Sequence, residues 1–263
     1  MLGLGKRAKN KILKTISNLF DDLAYEIVGN VPSLKGKKKL FFGTRKPLHT
    51  LAHLFVQSLG NRKMTGAEKK VLSSNLESAI GYVDALKSKA QNQVFSRLDG
   101  YAKTQQVKGR SLDRKDIESI VDQEMSKVGS HLKTITNAEA TRTRNTGAGM
   151  DILNVAKDQG VGDPTVFFVV IRDSVTCKVC LGLHLLPDMI TPRLWKFSEL
   201  SQDYHKKGDG VPSIHGEHPH CRCTLSVLSP GFGFDKSGHA VWVRPGHDEF
   251  KRQREKFGMP PAL

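Results

Sequence analysis

Apolar side chains recur at every third or fourth position through much of the first 160 residues, which is the spacing of one buried face of an α-helix. A short stretch covers residues 48–59 and ends at Gly60, and a much longer one begins near Thr65. They predict a short helix and then a long amphipathic helix. The long helix carries a narrow apolar stripe of Leu72, Leu76, Ile80, Val83, Leu86, Ala90, Val94, Leu98 and Tyr101. Such a stripe needs a covering helix, either in the same chain or in another subunit.

A second long helix is predicted to begin near Asp113, because aspartate is a favourable N-cap residue. Its apolar face consists of Ile117, Ile120, Val121, Met125, Val128, Leu132 and Ile135, and the helix can continue to Asn145. Gly147 and Gly149 predict an interruption. A further short helix is expected over residues 150–157 and should stop at Gly160.

The pattern changes after Pro164. Residues 166–171 form a continuous β-branched and aromatic run, which is typical of a buried strand. Residues 224–228 and 239–243 predict two further strands, bounded by glycine and proline turns. Residues 249–256 are highly charged and predict an exposed helix near the C-terminus.

The four cysteines occur as two close pairs, Cys177-x-x-Cys180 and Cys221-x-Cys223, and His218 and His220 directly precede the second pair. Thiolates and imidazoles are the ligands that Zn²⁺ prefers, so the pairs predict two halves of one zinc site. Free thiols or a disulfide are the alternative. If the second pair lies on a strand, both sulfurs can face one ion. If the backbone turns there, His218 and Cys221 are the better couple and Cys223 packs nearby.

The candidate ligands are Cys177, Cys180, His218, Cys221 and Cys223. The spacing leaves open whether four thiolates, or three thiolates and one imidazole, hold the ion. Four protein ligands leave no position for water, which favours a structural ion over a catalytic one. Three other histidines of this region, His184, His205 and His215, are expected at the surface. Arg172 and Asp173 either pair with each other or are simply exposed.

These elements predict an α+β protein with a mostly helical N-terminal half, containing long amphipathic helices, followed by a small β-rich C-terminal module held together by zinc. We expect four regions: a basic N-terminal arm with short helices (1–60), a long-helix region (61–160), the strand and Cys/His zinc module (161–230) and a C-terminal tail (231–263).

The net charge of +15 favours a polyanionic partner such as nucleic acid. The first 50 residues contain eleven basic and three acidic residues. Weak candidates for nucleic-acid contact are Lys35, Lys37, Lys38, Lys39, Arg45 and Lys46. A solubilising tail is the alternative interpretation.

A helical stripe of Ile12, Leu13, Ile16, Leu19, Phe20, Leu23 and Ile27 also lies in the basic arm. It favours docking on a protein partner over binding to a membrane surface. No apolar stretch approaches the roughly 20 residues of a membrane-spanning helix. We therefore expect no membrane span, and the N-terminus lacks the apolar core of a secretory signal.

Two enzyme templates are relevant. His215-Gly-Glu217 matches the H-x-E motif of zinc deaminases, but the Cys-x-x-Cys pair precedes it here and follows it in those enzymes. A zinc-dependent nuclease or nucleic-acid-processing enzyme of the HNH type, with His218 or His220 as the base, is the alternative function. No phosphate-binding or serine-nucleophile motif is present, and we expect no enzymatic activity. A zinc-finger regulator is a third hypothesis, weakened by the lack of a recognition helix.

Three segments together resemble the phage minor head protein family of the Mu F type, also called the head morphogenesis family. They are the helical segment Asn137-Ala-Glu-Ala-Thr-Arg-Thr-Arg-Asn-Thr-Gly, then Arg172-Asp173-x-x-x-Cys177-x-x-Cys180-x-x-Leu183, and then Pro212 followed by His218-Pro-His-Cys-Arg-Cys223. The similarity covers roughly residues 110–230, and the last segment is its specific part. The family usually has Asn where this chain has His220.

The resemblance implies a structural protein of a tailed bacteriophage that acts in head morphogenesis. It implies a virion protein of the capsid interior or portal vertex, assembled in the host cytoplasm and present in several copies around the portal. The implied partners are the portal protein, the major capsid protein and phage genomic DNA.

Overall fold

A computed structural model describes Asn10, Lys14, Ile16, Phe20 and residues 51–206 and 208–257. Of the N-terminal stripe, Ile16 and Phe20 are helical and buried. The other stripe residues, the candidate nucleic-acid contacts Lys35, Lys37, Lys38, Lys39, Arg45 and Lys46, and the first residues of the stretch at 48–59 lie outside the described part of the chain.

Three helices lie within residues 51–158: α1 at Leu51–Ser58, α2 at Gly66–Val107 and α3 at Arg114–Asp158. Helix α1 is followed by Gly60 and Asn61, both in the left-handed region at φ 67° and 59°, where a helix cannot continue. At the start of α2, the Thr65 amide donates to Glu68 Oε2 at 2.7 Å and the Glu68 amide donates to Thr65 Oγ1 at 3.3 Å. This reciprocal pair is a capping box, which fixes where α2 begins.

Helix α3 begins as the sequence predicts, because the Asp113 carboxylate accepts a hydrogen bond from the Lys115 amide at 2.6 Å. The predicted interruption at Gly147 and Gly149 is wrong, since α3 continues through both glycines to Asp158. A Cβ atom at Gly147 would lie 1.9 Å from Ser58 Oγ, and one at Gly149 would lie 3.2 Å from the Phe197 ring. These glycines therefore allow close packing on the helix and do not end it.

The described chain divides into two compact units. One comprises Met1–Ala52 and Ser73–Thr136, and the other comprises His53–Leu72 and Asn137–Leu263. In the first unit, α2 and the beginning of α3 run antiparallel: Tyr101 Oη donates to Asp116 at 2.7 Å, and Arg97 pairs with Glu124 at 2.7 Å. The buried apolar residues along this hairpin are Ala79, Val83, Leu86, Ala90, Val94, Leu98, Ala102, Val128 and Leu132. The apolar stripe of α2 is therefore covered within the same chain, which is the first of the two alternatives given by the sequence.

The second unit contains a three-stranded antiparallel sheet in the order β2-β1-β3. Its strands are β1 at Thr165–Val169, β2 at Trp195–Lys196 and β3 at Thr224–Val227. A separate hairpin pairs β4, Phe232–Phe234, with β5, Ala240–Trp242. The three strands predicted from the sequence thus exist with slightly shorter bounds, and β2 and β4 are additional.

Two short helices and a 3-10 turn complete the second unit: α4 at Lys178–His184, the 3-10 turn at Phe197–Glu199 and α5 at Glu249–Phe257. The expectation that α5 is an exposed helix is wrong on one of its faces. Glu249 and Gln253 are buried, and Gln253 bonds through its amide to Leu194 N and Pro192 O at 3.1 Å each. Among the described residues, no helix is long and apolar enough to cross a membrane.

The core of the second unit lies against the sheet and includes three of the four cysteines. It consists of Ile152, Val166, Phe168, Cys180, Trp195, Leu200, Ile214, Cys221, Cys223 and Leu225. The predicted α+β architecture, with a helical N-terminal half and a small β-rich part that carries a Cys/His cluster, is confirmed.

Candidate metal centre

The sheet register brings the two cysteine pairs to one end of the sheet. Strands β1 and β3 pair antiparallel with Val169 opposite Thr224. The chain that leaves β1 leads to Cys177, and Cys223 directly precedes β3. Two segments forty residues apart in sequence therefore meet where β1 ends and β3 begins.

The first pair lies at the start of α4. Cys177 is the N-cap residue of this helix, and its sulfur accepts a hydrogen bond from the Cys180 amide at 3.3 Å. The cap holds the Cys177 sulfur close to the backbone of Cys180. Cys180 is buried and Cys177 is partly exposed.

Cys221 ends a turn and Cys223 lies between this turn and β3, so neither cysteine of the second pair is on a strand. The Cys221 amide donates to the His218 carbonyl at 2.9 Å, and β3 begins only at Thr224. Of the two sequence interpretations, the turn is therefore the correct one. Cys223 is nevertheless close to the other sulfurs, and both Cys221 and Cys223 are buried.

Five side chains form two overlapping groups that can hold a metal ion. Cys177, Cys180 and His218 form one group, and Cys180, Cys221 and Cys223 form the other, with the ligand atoms of each group within 4.8 Å of one another. Cys180 Sγ lies 3.8 Å from Cys221 Sγ and 3.3 Å from His218 Nε2. Zn–S bonds of about 2.3 Å place two sulfurs of a tetrahedral site about 3.8 Å apart. The sulfurs of Cys180 and Cys221 lie at this separation, and the cluster can hold a metal ion.

The sulfurs interact electrostatically. Hydrogen bonds from Cys180 and Cys223 lower the pKa of the Cys221 thiol and favour its thiolate. The contact with Cys221 raises the pKa of Cys180. All four cysteines are free, so a disulfide is not what joins the two segments.

Of the two alternatives for Arg172 and Asp173, the ion pair between them is not formed, and both residues are exposed. Asp173 binds Arg222, the residue between Cys221 and Cys223, at 2.7 Å. Arg222 keeps the pKa of Asp173 well below its usual range. Arg172 instead donates to the Ser237 carbonyl at 3.2 Å. The Asp173–Arg222 pair thus connects the loop before Cys177 to the turn that carries the second cysteine pair.

The expectation that His184 and His205 lie at the surface is wrong. His184 is fully buried and stacks on Phe168 with ring centroids 4.3 Å apart. Its Nε2 lies 3.5 Å from Glu217 Oε1, and Glu217 Oε2 lies 2.8 Å from His205 Nδ1. Burial lowers the pKa of His184 and raises the pKa of Glu217 to about 8. Glu217 is therefore mostly protonated at neutral pH, and its contact with His184 joins two neutral groups.

His215 and His220 differ in their surroundings. His215 is half-buried, and its ring lies 5.3 Å from the ring of Tyr204. Burial lowers the pKa of His215 to about 4. His220 is exposed, belongs to neither ligand group and approaches the Asn137 amide at 2.9 Å.

The polar side chains of α3 are the contribution that the sequence analysis did not assign. Thr141 Oγ1 donates to the Cys221 carbonyl at 2.5 Å, and Asn145 Nδ2 donates to the Cys223 carbonyl at 3.2 Å. Glu139, also on α3, accepts a hydrogen bond from Tyr204 Oη at 2.5 Å. These residues belong to the segment that begins at Asn137 and carries part of the family resemblance, which is the sequence signal that marks them. The sequence does not show which groups such polar helix residues bind.

Comparisons of the chain with family models, with curated proteins and with solved structures gave no match.

Proposed function

We propose that this chain is a minor head protein of a tailed bacteriophage, a structural component in which one zinc ion holds a small C-terminal module together. The observation that carries the proposal is the convergence of two distant Cys/His segments on one buried point at the end of the sheet. Soft thiolate ligands with one imidazole favour Zn²⁺ over the harder cations Mg²⁺ and Ca²⁺.

The ion would be structural because protein side chains can supply all four positions of a tetrahedral site. Its role would be to join the α4 segment to the turn before β3. The forty residues between Cys180 and Cys221 contribute few buried apolar side chains to the core. They are Leu185, Leu186, Leu194, Trp195, Leu200 and Ile214. Binding free energy at a structural zinc site adds directly to the stability of the fold.

Elemental analysis of the purified chain tests the metal. We expect about one zinc per chain, loss of the metal in Cys180→Ser, because Cys180 belongs to both groups, and no loss in His239→Ala, because His239 is exposed and belongs to neither. A Cys180→Ser protein with normal zinc content would show that the ligands are misassigned.

The ligand set can be determined with Co²⁺ in place of zinc. Four-sulfur and three-sulfur sites differ in the intensity and position of their cobalt absorption bands. The spectrum of His218→Ala is expected to differ from that of the unmodified chain if His218 is a ligand, and to remain the same if the four cysteines hold the ion.

The assignment to a phage head is supported by the ordered motifs over roughly residues 110–230 and by the charge of the chain. Eleven basic and three acidic residues in the first 50 account for eight of the fifteen net positive charges. A cationic segment of this kind suits contact with the packaged genome, and Lys35, Lys37, Lys38, Lys39, Arg45 and Lys46 are the proposed contacts. The portal protein and the major capsid protein are the proposed protein partners, with several copies of this chain around the portal vertex.

Purification of virions and of the portal tests this assignment. We expect the chain to be present in purified virions and to copurify with the portal protein. Its absence from both would contradict the proposal. Plasmid cleavage in the presence of a divalent metal, abolished by His218→Ala, would replace it with the nuclease alternative.

A further inference from the structure

Three polar side chains of α3 face the turn that carries the second cysteine pair. Asn137, Thr141 and Asn145 are spaced four residues apart, so they lie on one face of the helix. We call these three residues the polar stripe of α3. The first part of α3 is different, because its buried residues Val128 and Leu132 are apolar. Asn145 is completely buried and Thr141 is 3% exposed, so neither is a solvated surface residue.

Each residue of the polar stripe binds a different point of the turn. Asn137 approaches the His220 imidazole at 2.9 Å, and Thr141 binds the Cys221 carbonyl at 2.5 Å. The Asn145 amide donates to the Cys223 carbonyl at 3.2 Å and accepts from the Leu225 amide at 3.1 Å. The backbone carbonyls of Cys221 and Cys223 are thus held by Thr141 and Asn145, which are not themselves candidate ligands.

The close approach between helix and turn is visible at Gly216. This glycine has φ 92°, and a Cβ atom there would lie 3.0 Å from Thr141 Cγ2 and 3.2 Å from Cys221 Cβ. The turn therefore packs directly on Thr141, and the methyl and hydroxyl groups of Thr141 both contact it. Buried hydrogen bonds to a backbone with little room to move restrict where the attached sulfurs can lie.

We infer that Asn137, Thr141 and Asn145 are positioning residues of the metal centre, which set the geometry of the Cys221 and Cys223 ligands and thereby the affinity for the ion. Groups that hold metal ligands in place typically change metal affinity by about 10- to 100-fold when they are removed. The inference depends on the metal site of the proposed function and adds residues of a different helix to it.

Thr143 provides a matched control on the same helix. It is completely buried, and its hydroxyl has no hydrogen-bond partner among the residues that the structure describes. Thr143→Val therefore removes a buried hydroxyl of the same kind without removing a contact to the turn. Thr141→Ser is the conservative variant, because it keeps the hydroxyl that binds the Cys221 carbonyl.

The experiment measures zinc affinity of the full chain by competition with a chromophoric chelator, together with the Co²⁺ absorption spectrum and the helical circular dichroism of each variant. We expect Thr141→Val and Asn145→Ala to weaken zinc binding about 10-fold or more. Thr143→Val and Thr141→Ser should remain within about twofold of the unmodified chain. The cobalt spectra should keep their sulfur charge-transfer bands, because no ligand has been removed.

The outcomes are separable. Equal affinities of Thr141→Val and Thr143→Val would overturn the inference and leave the metal site intact. An unmodified chain that binds no metal would instead overturn the proposed function. If Thr141→Val or Asn145→Ala loses helical signal, Asn137→Ala decides the question, because its side chain is only half-buried. Unchanged zinc affinity in that variant would then contradict the inference.

Discussion

Burial determines the protonation of the side chains next to the cysteines. Glu217 lies in the core with its pKa raised to about 8, and His215 lies near it with its pKa lowered to about 4. Both groups are therefore mainly neutral at pH 7, although the chain as a whole is strongly cationic. Neutral forms avoid the cost of placing isolated charges in the core.

A pH-dependent loss of stability follows for His215. Its pKa of about 4 in the folded chain is lower than the value of 6.5 expected when the chain is unfolded. The unfolded state thus binds more protons between these values, and stability decreases as the pH falls from 6.5 toward 4. We expect the free energy of unfolding of His215→Gln, measured with urea, to decrease less between pH 7 and pH 5 than that of the unmodified chain. His239→Gln, at a side chain that is 77% exposed, is the control, and equal pH dependence of both variants would contradict the prediction.

Gln253 gives a second prediction at this scale. Its buried amide binds both Leu194 N and Pro192 O, so Gln253→Ala leaves two buried backbone groups without this partner. We expect a decrease of about 1–3 kcal/mol in the free energy of unfolding. Glu255→Ala, on the same helix with a side chain 67% exposed, should change it by less than about 0.5 kcal/mol. Similar losses in both variants would show that α5 is not held through Gln253.

Individual residues were predicted from the sequence where their chemistry is specific. The five candidate ligands were named because cysteine and histidine pairs with short spacing have few other common uses. His184 was placed at the surface because nothing in its local sequence reveals the Phe168 ring that it stacks on. For Asp173 the sequence offers only an ion pair with its neighbour Arg172 or simple exposure, whereas the actual partner Arg222 is forty-nine residues away and is brought near only by the fold.

The largest single element is α3, whose 45 residues contribute to both compact units. Its first half carries the apolar face of the helical hairpin, and its second half carries the polar stripe that holds the second cysteine pair. One helix thus changes from apolar to polar contacts along its length. A uniform helical periodicity conceals this change.

Two glycines of α3 should respond to alanine in opposite directions, because Gly147 is in close contact with Ser58 and Gly129 has open space beside it. Gly147→Ala would place a methyl group against Ser58 Oγ, so we expect the free energy of unfolding to fall by about 1–3 kcal/mol. Gly129→Ala meets nothing within 4 Å and should stabilise the chain by about 0.5–1 kcal/mol, because alanine favours the helix. Thermal and urea unfolding of both variants check this. Part of the loss should be recovered when Ser58→Ala is combined with Gly147→Ala, and stabilisation by both glycine variants would contradict the packing argument.

The long elements were predictable and the short ones were not. Periodic apolar residues over many turns identify α2 and α3, since few other structures produce that spacing. The two residues of β2 have no pattern of their own, and they form a strand only because β1 offers free hydrogen-bonding groups beside them. The glycines were misinterpreted because a glycine that ends a helix and one that allows close packing look the same in sequence.

For the whole molecule, removal of the metal should affect the two compact units differently. All five candidate ligands lie in the unit that contains Asn137–Leu263, and none lies in Ser73–Thr136. We expect a strong chelator to increase amide hydrogen exchange in β1, β3 and α4 and to leave the hairpin within 73–136 protected. Equal deprotection of both regions would mean that the ion stabilises the chain as one cooperative body, and unchanged exchange in β1 and β3 would mean that the module does not depend on metal.

Cys177 combines two tasks in one sulfur atom, since it caps α4 and also belongs to a ligand group. It is also the one cysteine of the four that is not buried. An alkylating reagent or an oxidant therefore meets this thiol first, and a single modification there removes both a helix cap and a candidate ligand. Sensitivity to electrophiles should accordingly begin at Cys177 and spread to the buried sulfurs only after α4 has loosened.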